Sequence, residues 1–262
     1  MAGASDATAA APEAVILAGG LGTRLRQVVP DLPKPLAPVA GQPFLKLVLA
    51  SLARQGVRRA VLSLGYRAEA FAQVLGGACA GVALEHEIEP RPLGTGGAIR
   101  AALARCRGDA ALVLNGDTFL EFDLAAAMHR WHATGRPVLL GSQVADTARY
   151  GRLQVEGGRL VGMAEKGIAG PGLINSGHYL LPRALFDGLD LPEAFSFEND
   201  FLLPQLAQRP IEVLEVQGRF IDIGVPEDYA LAQTLLADLA QLAQAPHSPP
   251  LARSTPPADA SA

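Results

Sequence analysis

Apolar positions from residue 13 to residue 144 fall into two kinds of run, and the two kinds alternate. EAVILAG (Glu13–Gly19), RAVLSLG (Arg59–Gly65), VALEHEIE (Val82–Glu89), AALVLNGD (Ala110–Asp117) and PVLLGSQV (Pro137–Val144) are short and predict strands. The first is apolar almost without interruption, as a strand buried on both faces requires. Between them, QPFLKLVLASLARQG (Gln42–Gly56) spaces Phe44, Leu45, Val48, Leu49 and Leu52 for one helical face, and Gly56 ends it. AEAFAQVLGG (Ala68–Gly77), GGAIRAALARC (Gly96–Cys106) and LAAAMHRWHATG (Leu124–Gly135) predict further helices. Strand and helix in alternation predict an α/β fold, a mainly parallel sheet with helices on both faces. Ligands of such sheets bind beyond the carboxyl ends of the strands, where the glycines after Leu17 and the Asn-Gly-Asp of residues 115–117 lie.

The pattern changes after Tyr150. RLQVEGGRLVGMAEK (Arg152–Lys166) is two short runs around Gly157-Gly158, a hairpin signal. GLINSGHYLLP (Gly172–Pro182) is strand-like and SFENDFLLPQLAQR (Ser196–Arg209) helical. IEVLEVQGRFIDIG (Ile211–Gly224) is extended. PEDYALAQTLLADLAQLAQ (Pro226–Gln244) predicts one closing helix with proline at its start. The expected organisation is a loose arm over residues 1–12, one domain over 13–244, and a disordered Pro- and Ser-rich tail over 245–262. Within the domain, 13–150 is the expected first half. Residues 151–244 are expected to form a smaller β-rich, lid-like extension of it.

Composition narrows the function classes. The chain has 262 residues, 49% of them hydrophobic, which is enough for a large core. A formal net charge of −4 without a basic block argues against nucleic acid as a partner, so an anionic ligand needs local cations. Cys79 and Cys106 form no CxxC and read as free thiols of a reducing compartment. The N-terminal residues lack the basic and apolar regions of a signal peptide, and no apolar run is long enough to span a bilayer. The expectation is a cytoplasmic protein without a membrane partner; a homo-oligomer is compatible with the sequence.

The candidate chemistry begins in LAGGLGTRLRQVVPDLPKPLAPVAGQPFL (Leu17–Leu45). Gly19, Gly20 and Gly22 follow a strand, where bare backbone N–H groups can surround an anion. Glycine pairs also make plain turns. The dinucleotide GxGxxG pattern fails at Leu25, and a Walker A loop fails because Gly22 is followed by Thr23-Arg24. Arg24 and Lys34 change the balance: a guanidinium fork and an ammonium both suit phosphate. Pro33 and Pro35 restrict the backbone on either side of Lys34.

This stretch resembles the signature of the sugar-1-phosphate nucleotidyltransferases, and the resemblance runs from about Glu13 to about Ala240. It implies a Rossmann-like fold and a reaction joining a nucleoside triphosphate to a sugar 1-phosphate with release of pyrophosphate, the nucleotide held by the half over about 13–150 and the sugar, the second substrate, by the half over about 151–244. Leu17, Ala18, Gly19, Gly20, Gly22 and Thr23 would then hold the nucleotide, and Arg24 and Lys34 the reacting phosphates. PLGTGGAI resembles the family's base-recognition loop, with Gly94, Thr95 and Gly97 as contacts; a loop and helix cap would explain the same glycines. Asp117 and Asp222 resemble its two metal aspartates and would bind Mg²⁺, a hard ion often held by one or two carboxylates. Asn-Gly before Asp117 is also a hairpin signal, and Asp222 could be a solvated strand residue. Glu165, Lys166, Asn175, Gly177 and Glu198 would bind the sugar and its phosphate, although a helix-start acid explains Glu198 nearly as well.

Among subfamilies, the Leu17–Leu45 stretch, EKGIAGPGLINSGHYLL and FSFENDFLL most resemble guanylyltransferases acting on D-glycero-α-D-manno-heptose 1-phosphate. That resemblance implies GTP as the donor and GDP-heptose as the product. The chain departs from it at Ser176-Gly177-His178, where a second glycine and an aliphatic residue are expected. Mannose-1-phosphate guanylyltransferase and N-acetylmuramate-1-phosphate uridylyltransferase are the enzyme alternatives, and a non-catalytic nucleotide-sugar sensor is the alternative of another class. A phosphate monoester is largely ionised at neutral pH, its second pKa being about 6, so this chemistry needs positioning and charge neutralisation rather than a strong base. His129 and His132 lie three apart on a helix with no third ligand evident and read as helix surface; Trp131 reads as packing.

Overall fold

A computed structural model describes residues 11–20, 22, 24–164 and 167–244. Thr23, Glu165 and Lys166 lie outside the described residues, as do residues 1–10 of the arm and the tail from residue 245. In chain order the elements are β1 (Glu13–Leu17), β2 (Pro38–Val39), β3 (Gln42–Pro43), α1 (Phe44–Arg54), β4 (Arg59–Leu64), α2 (Ala68–Leu75), β5 (Ala78–Cys79) and β6 (Val82–Ile88). Next come α3 (Gly94–Arg105), β7 (Ala110–Asn115), β8 (Thr118–Leu120), α4 (Leu124–Thr134), β9 (Val138–Val144), β10 (Leu153–Glu156), β11 (Arg159–Met163) and β12 (Gly172–Pro182). A π-helical turn (Phe197–Leu202) leads into α5 (Leu203–Gln205), then β13 (Glu212–Val216), β14 (Phe220–Asp222), α6 (Pro226–Leu235) and α7 (Ala237–Gln244).

Ten strands form one sheet in the order β10-β11-β13-β9-β12-β7-β1-β4-β6-β5. The block β7-β1-β4-β6 is parallel, and β9 and β13 pair in parallel with each other. Only β5, β12 and β11 run against the common direction. The apolar runs make sense in this setting. Ala14 and Ile16 enter one core layer and Val15 the other; Leu112 and Leu114 part from Ala111 and Val113 in the same way. A strand with a two-residue side-chain period must be apolar throughout when helices cover both its faces.

Two features differ from the sequence-based expectation. The second half is not set apart as a lid: β12 inserts between β7 and β9, and β13 pairs with β9, so its strands continue the central sheet. The Gly157-Gly158 hairpin is present as β10–β11 at the sheet's edge, with both glycines at positive φ. The closing helix is broken into α6 and α7 at Leu236, a fully buried residue. Arg219 donates to the Leu235 carbonyl at 2.9 Å and to Asp238 at 2.7 Å, satisfying an end the break exposes. Among the described residues no helix is long and apolar enough to cross a membrane.

Candidate active site

A cavity of about 700 Å³ opens at the carboxyl ends of β1, β4, β6 and β7. Leu17, Ala18, Gly19, Gly20 and Gly22 line one side, Lys34, Asn115 and Asp117 another, and Glu89, Gly94, Thr95 and Ala98 a third. The strand ends are tied together: the Ala18 amide donates to Ser63 and the Gly116 amide to Leu17, each at 2.8 Å. Asn115-Gly116 makes no hairpin here. The chain leaves β7 and pairs β8 with the distant β14.

Lys34 begins a 3-10 turn that runs from Lys34 to Leu36, with Pro33 before it and the buried Pro35 within it. Its ammonium donates to Asp117 Oδ2 at 2.6 Å. Pairing of β8 with β14 sets Asp222 opposite Thr118, and the Ile223 amide donates to the Asp117 carbonyl at 3.0 Å. The two aspartates are therefore neighbours although they are far apart in the chain. Burial, followed by the charge of Asp117, raises the Asp222 carboxyl above its usual range; Lys34, a hydrogen bond from the Gly224 amide and, more weakly, Arg24 oppose that rise. Arg24 itself is exposed in the turn before a short 3-10 helix (Leu25–Gln27) and does not line the cavity.

Gly94 and Thr95 line the cavity, and they belong to the helix rather than to a loop before it: α3 begins at Gly94, not at Gly96 as the sequence suggested. A Cβ on Gly96 would lie 2.1 Å from the Phe195 ring, and one on Gly97 2.4 Å from the Glu193 carbonyl. These two glycines let α3 pack against the 193–197 segment, and Gly97 is not among the residues lining the cavity. Thr95 Oγ1 accepts from the Phe197 amide at 2.9 Å, which fixes the start of the π-helical turn.

That turn carries Glu198 inward. Asn175 Nδ2 donates to Glu198 Oε1 and to the Tyr179 hydroxyl oxygen, both at 2.6 Å, and Tyr179 donates to Glu198 Oε1 at 3.2 Å. The Gly177 amide donates to Asn175 Oδ1 at 2.9 Å. Gly177 has φ +72°, and a Cβ there would come within 2.2 Å of Asn115 Nδ2. So Asn175, Gly177 and Glu198 form one cluster, and it meets the cavity at Asn115.

The nucleotidyl transferase family model matches residues 13–238. The chain belongs to that family. It is 38% identical over 222 residues to a D-glycero-alpha-D-manno-heptose 1-phosphate guanylyltransferase of Aneurinibacillus thermoaerophilus, covering 84% of this chain and 96% of the relative. The Campylobacter jejuni protein of the same description is 39% identical over 218 residues, with coverages of 83% and 96%. Among solved structures, HddC from Yersinia pseudotuberculosis superposes with a TM-score of 0.77 at 36% identity, covering 86% of this chain and 99% of that one; it has also been solved in complex with GMP-PN. The resemblance seen in the motifs thus extends over most of the chain and includes its fold.

Sequence reasoning missed Glu89, Asn115 and Tyr179. Glu89 follows β6 at its carboxyl end, accepts from Ser63 Oγ at 3.1 Å and from the Leu93 amide at 3.0 Å, and lines the cavity. The strand-end rule that drew attention to Asp117 points to Glu89 and Asn115 as well. Tyr179 is buried, and burial with the neighbouring Glu198 holds its hydroxyl protonated far beyond the usual range; nothing in its local sequence signals that.

Proposed function

We propose that this enzyme transfers a guanylyl group from GTP to D-glycero-α-D-manno-heptose 1-phosphate. An oxygen of the sugar phosphate attacks the α-phosphorus, the bond from that phosphorus to the bridging oxygen breaks, and pyrophosphate leaves with the electron pair. The products are GDP-heptose and pyrophosphate. The observation that carries this reading is the junction at Asn115. There a glycine-lined cavity with a fixed cation meets a polar cluster of Asn175, Tyr179 and Glu198 suited to hydroxyl groups. Similarity to heptose 1-phosphate guanylyltransferases over most of the chain supports the choice of sugar.

Each residue has a role in this reading. Backbone N–H groups of the Gly19–Gly22 loop cradle the phosphates. Lys34 presents an ammonium where two polyanions must meet, and Arg24 and Lys166 add positive charge in the same reading. Asp117 and Asp222 are two adjacent hard-oxygen donors; burial first and then the charge of Asp117 raise the Asp222 carboxyl, and a divalent cation held by the pair would offset the second of these. They fit Mg²⁺, and among the described residues no set of three or more His, Cys, Asp or Glu gathers as a fuller protein site would. Bound there, Mg²⁺ supplies charge neutralisation to phosphate oxygens.

Glu89 supports GTP as the donor. Both its oxygens already accept one hydrogen bond, and a carboxylate can accept about four. Guanine offers N1–H and its 2-amino group side by side, a donor pair that a carboxylate accepts; adenine offers an acceptor at N1 instead. The test is the kcat/KM for GTP, ITP, UTP and ATP in the wild type and in Glu89→Gln. ITP lacks the 2-amino group. The expected result is a GTP preference that falls at least about tenfold in the variant, the scale of one hydrogen bond to a charged group at about 1.5–3 kcal/mol. An unchanged GTP-to-ITP ratio would remove Glu89 from base recognition, and a wild-type preference for UTP would overturn GTP as the donor.

A further inference from the structure

β12 carries two residues more than its neighbour. Asn175 stands opposite Gly141 of β9 and His178 opposite Leu140, so Ser176 and Gly177 have no partners of their own there. Pairing with β7 begins only at His178, opposite Leu114, one residue before β7 ends at Asn115. A bulge bends its strand and re-aims the side chains beside it. This one lies against Asn115, a residue that lines the cavity, and Asn175 is the side chain beside it.

The two faces of the bulge do different things. On the cavity face Asn175 holds Gly177 through Oδ1 and Glu198 through Nδ2. On the opposite face, beneath α4, two polar side chains hold the bulge shut. Ser176 Oγ donates to the Leu140 carbonyl at 2.6 Å. His178 Nδ1 lies 3.0 Å from the Ser176 carbonyl and 3.4 Å from its hydroxyl oxygen. The hydroxyl proton is committed to Leu140, so the proton on Nδ1 is assigned to the bond with the Ser176 carbonyl. Ser176 and His178 are 2% and 1% exposed, and the imidazole packs edge-on against Phe122 at 5.8 Å between ring centres. Burial pushes the imidazole pKa down to about 4, so the ring stays neutral with a single N–H to donate. An aliphatic residue of similar size could fill the same space but could not close the bulge.

We propose that Ser176 and His178 form a clasp on the buried face of β12 that positions Asn175, and through it Glu198, for the sugar 1-phosphate. Neither clasp residue touches substrate; both act through the backbone of the bulge. The proposal rests on the functional reading above, because it assigns Asn175 and Glu198 to the sugar side.

The test compares the wild type with His178→Ile, which removes the donor but keeps an apolar side chain, and His178→Asn, whose amide nitrogen can take the place of Nδ1. The expected result for His178→Ile is a KM for the heptose 1-phosphate raised about tenfold, with the KM for GTP within about twofold of wild type. His178→Asn is expected to recover most of that loss. Amide hydrogen exchange at Gly177 in the substrate-free protein is expected to accelerate in His178→Ile and not in His178→Asn. Ser176→Ala opens the other half of the clasp and is expected to raise the same KM if His178→Ile does not fold. Equal changes in both KM values, no change in either, or Asn performing no better than Ile would overturn the clasp. Failure of the wild type to use GTP and the heptose 1-phosphate would instead overturn the functional reading, and Gly177 exchange would still decide whether the clasp exists.

Discussion

At the scale of the residue, the site is organised around Lys34. Its side chain is 11% exposed, it is braced by prolines, and its partner Asp117 stands beside the burdened carboxyl of Asp222. In the proposed function this cation positions phosphate. Truncation keeps the β-carbon that sits under Gly22, so Lys34→Ala is expected to fold. Its kcat/KM is expected to fall by about 10²- to 10³-fold, the usual effect of removing one preorganised donor at a charged transition state. Unchanged circular dichroism together with unchanged turnover at saturating substrates would demote Lys34 to a structural ion pair. Lys34 could be read from the sequence because its cues are local: glycines, two prolines and a charge within a short stretch. Tyr179 and Glu89 could not be read that way. Their significance comes from Glu198, Asn175, Ser63 and Leu93, which only the fold brings to them.

At the scale of the element, the strands of the parallel block were legible because burial on both faces demands unbroken apolar runs such as EAVILAG and AALVLN. The direction of β12 was not legible. A strand-like run reads the same whether it runs with its neighbours or against them, and only pairing to both β7 and β9 fixes its sense. The break between α6 and α7 was hidden for a related reason. Its periodicity continues across residue 236, and the interruption is held by Arg219, from outside the helix. Arg219 also pairs with Glu121 at 2.9 Å, linking the break to the segment before α4. Arg219→Ala is expected to lower the urea midpoint by an amount corresponding to about 1 kcal/mol, since its ion pairs are exposed and the carbonyl bond is a single one. A midpoint equal to wild type would mean that water caps Leu235 equally well.

At the scale of the whole molecule, one sheet carries both the glycine-lined cavity and the Asn175–Glu198 cluster. The glycine loop hangs from β1 and Asp117 follows β7, while Asn175 lies on β12, the strand next to β7. A smaller lid-like extension of the same domain was the expectation for the second half; the continuous sheet instead fixes the distance between the glycine-lined cavity and the Asn175–Glu198 cluster through hydrogen-bonded neighbours. Such rigidity suits a reaction in which alignment of two anions is the main difficulty. The most direct measurement is pyrophosphate release with each nucleoside triphosphate against a panel of sugar 1-phosphates, including D-glycero-α-D-manno-heptose 1-phosphate and mannose 1-phosphate, with Mg²⁺ and with EDTA. The account predicts release with GTP and the heptose 1-phosphate that is abolished by EDTA. Release with a different pair would contradict the substrate assignment. Binding of GTP without release for any sugar phosphate would contradict catalysis itself and favour a nucleotide-sugar sensor.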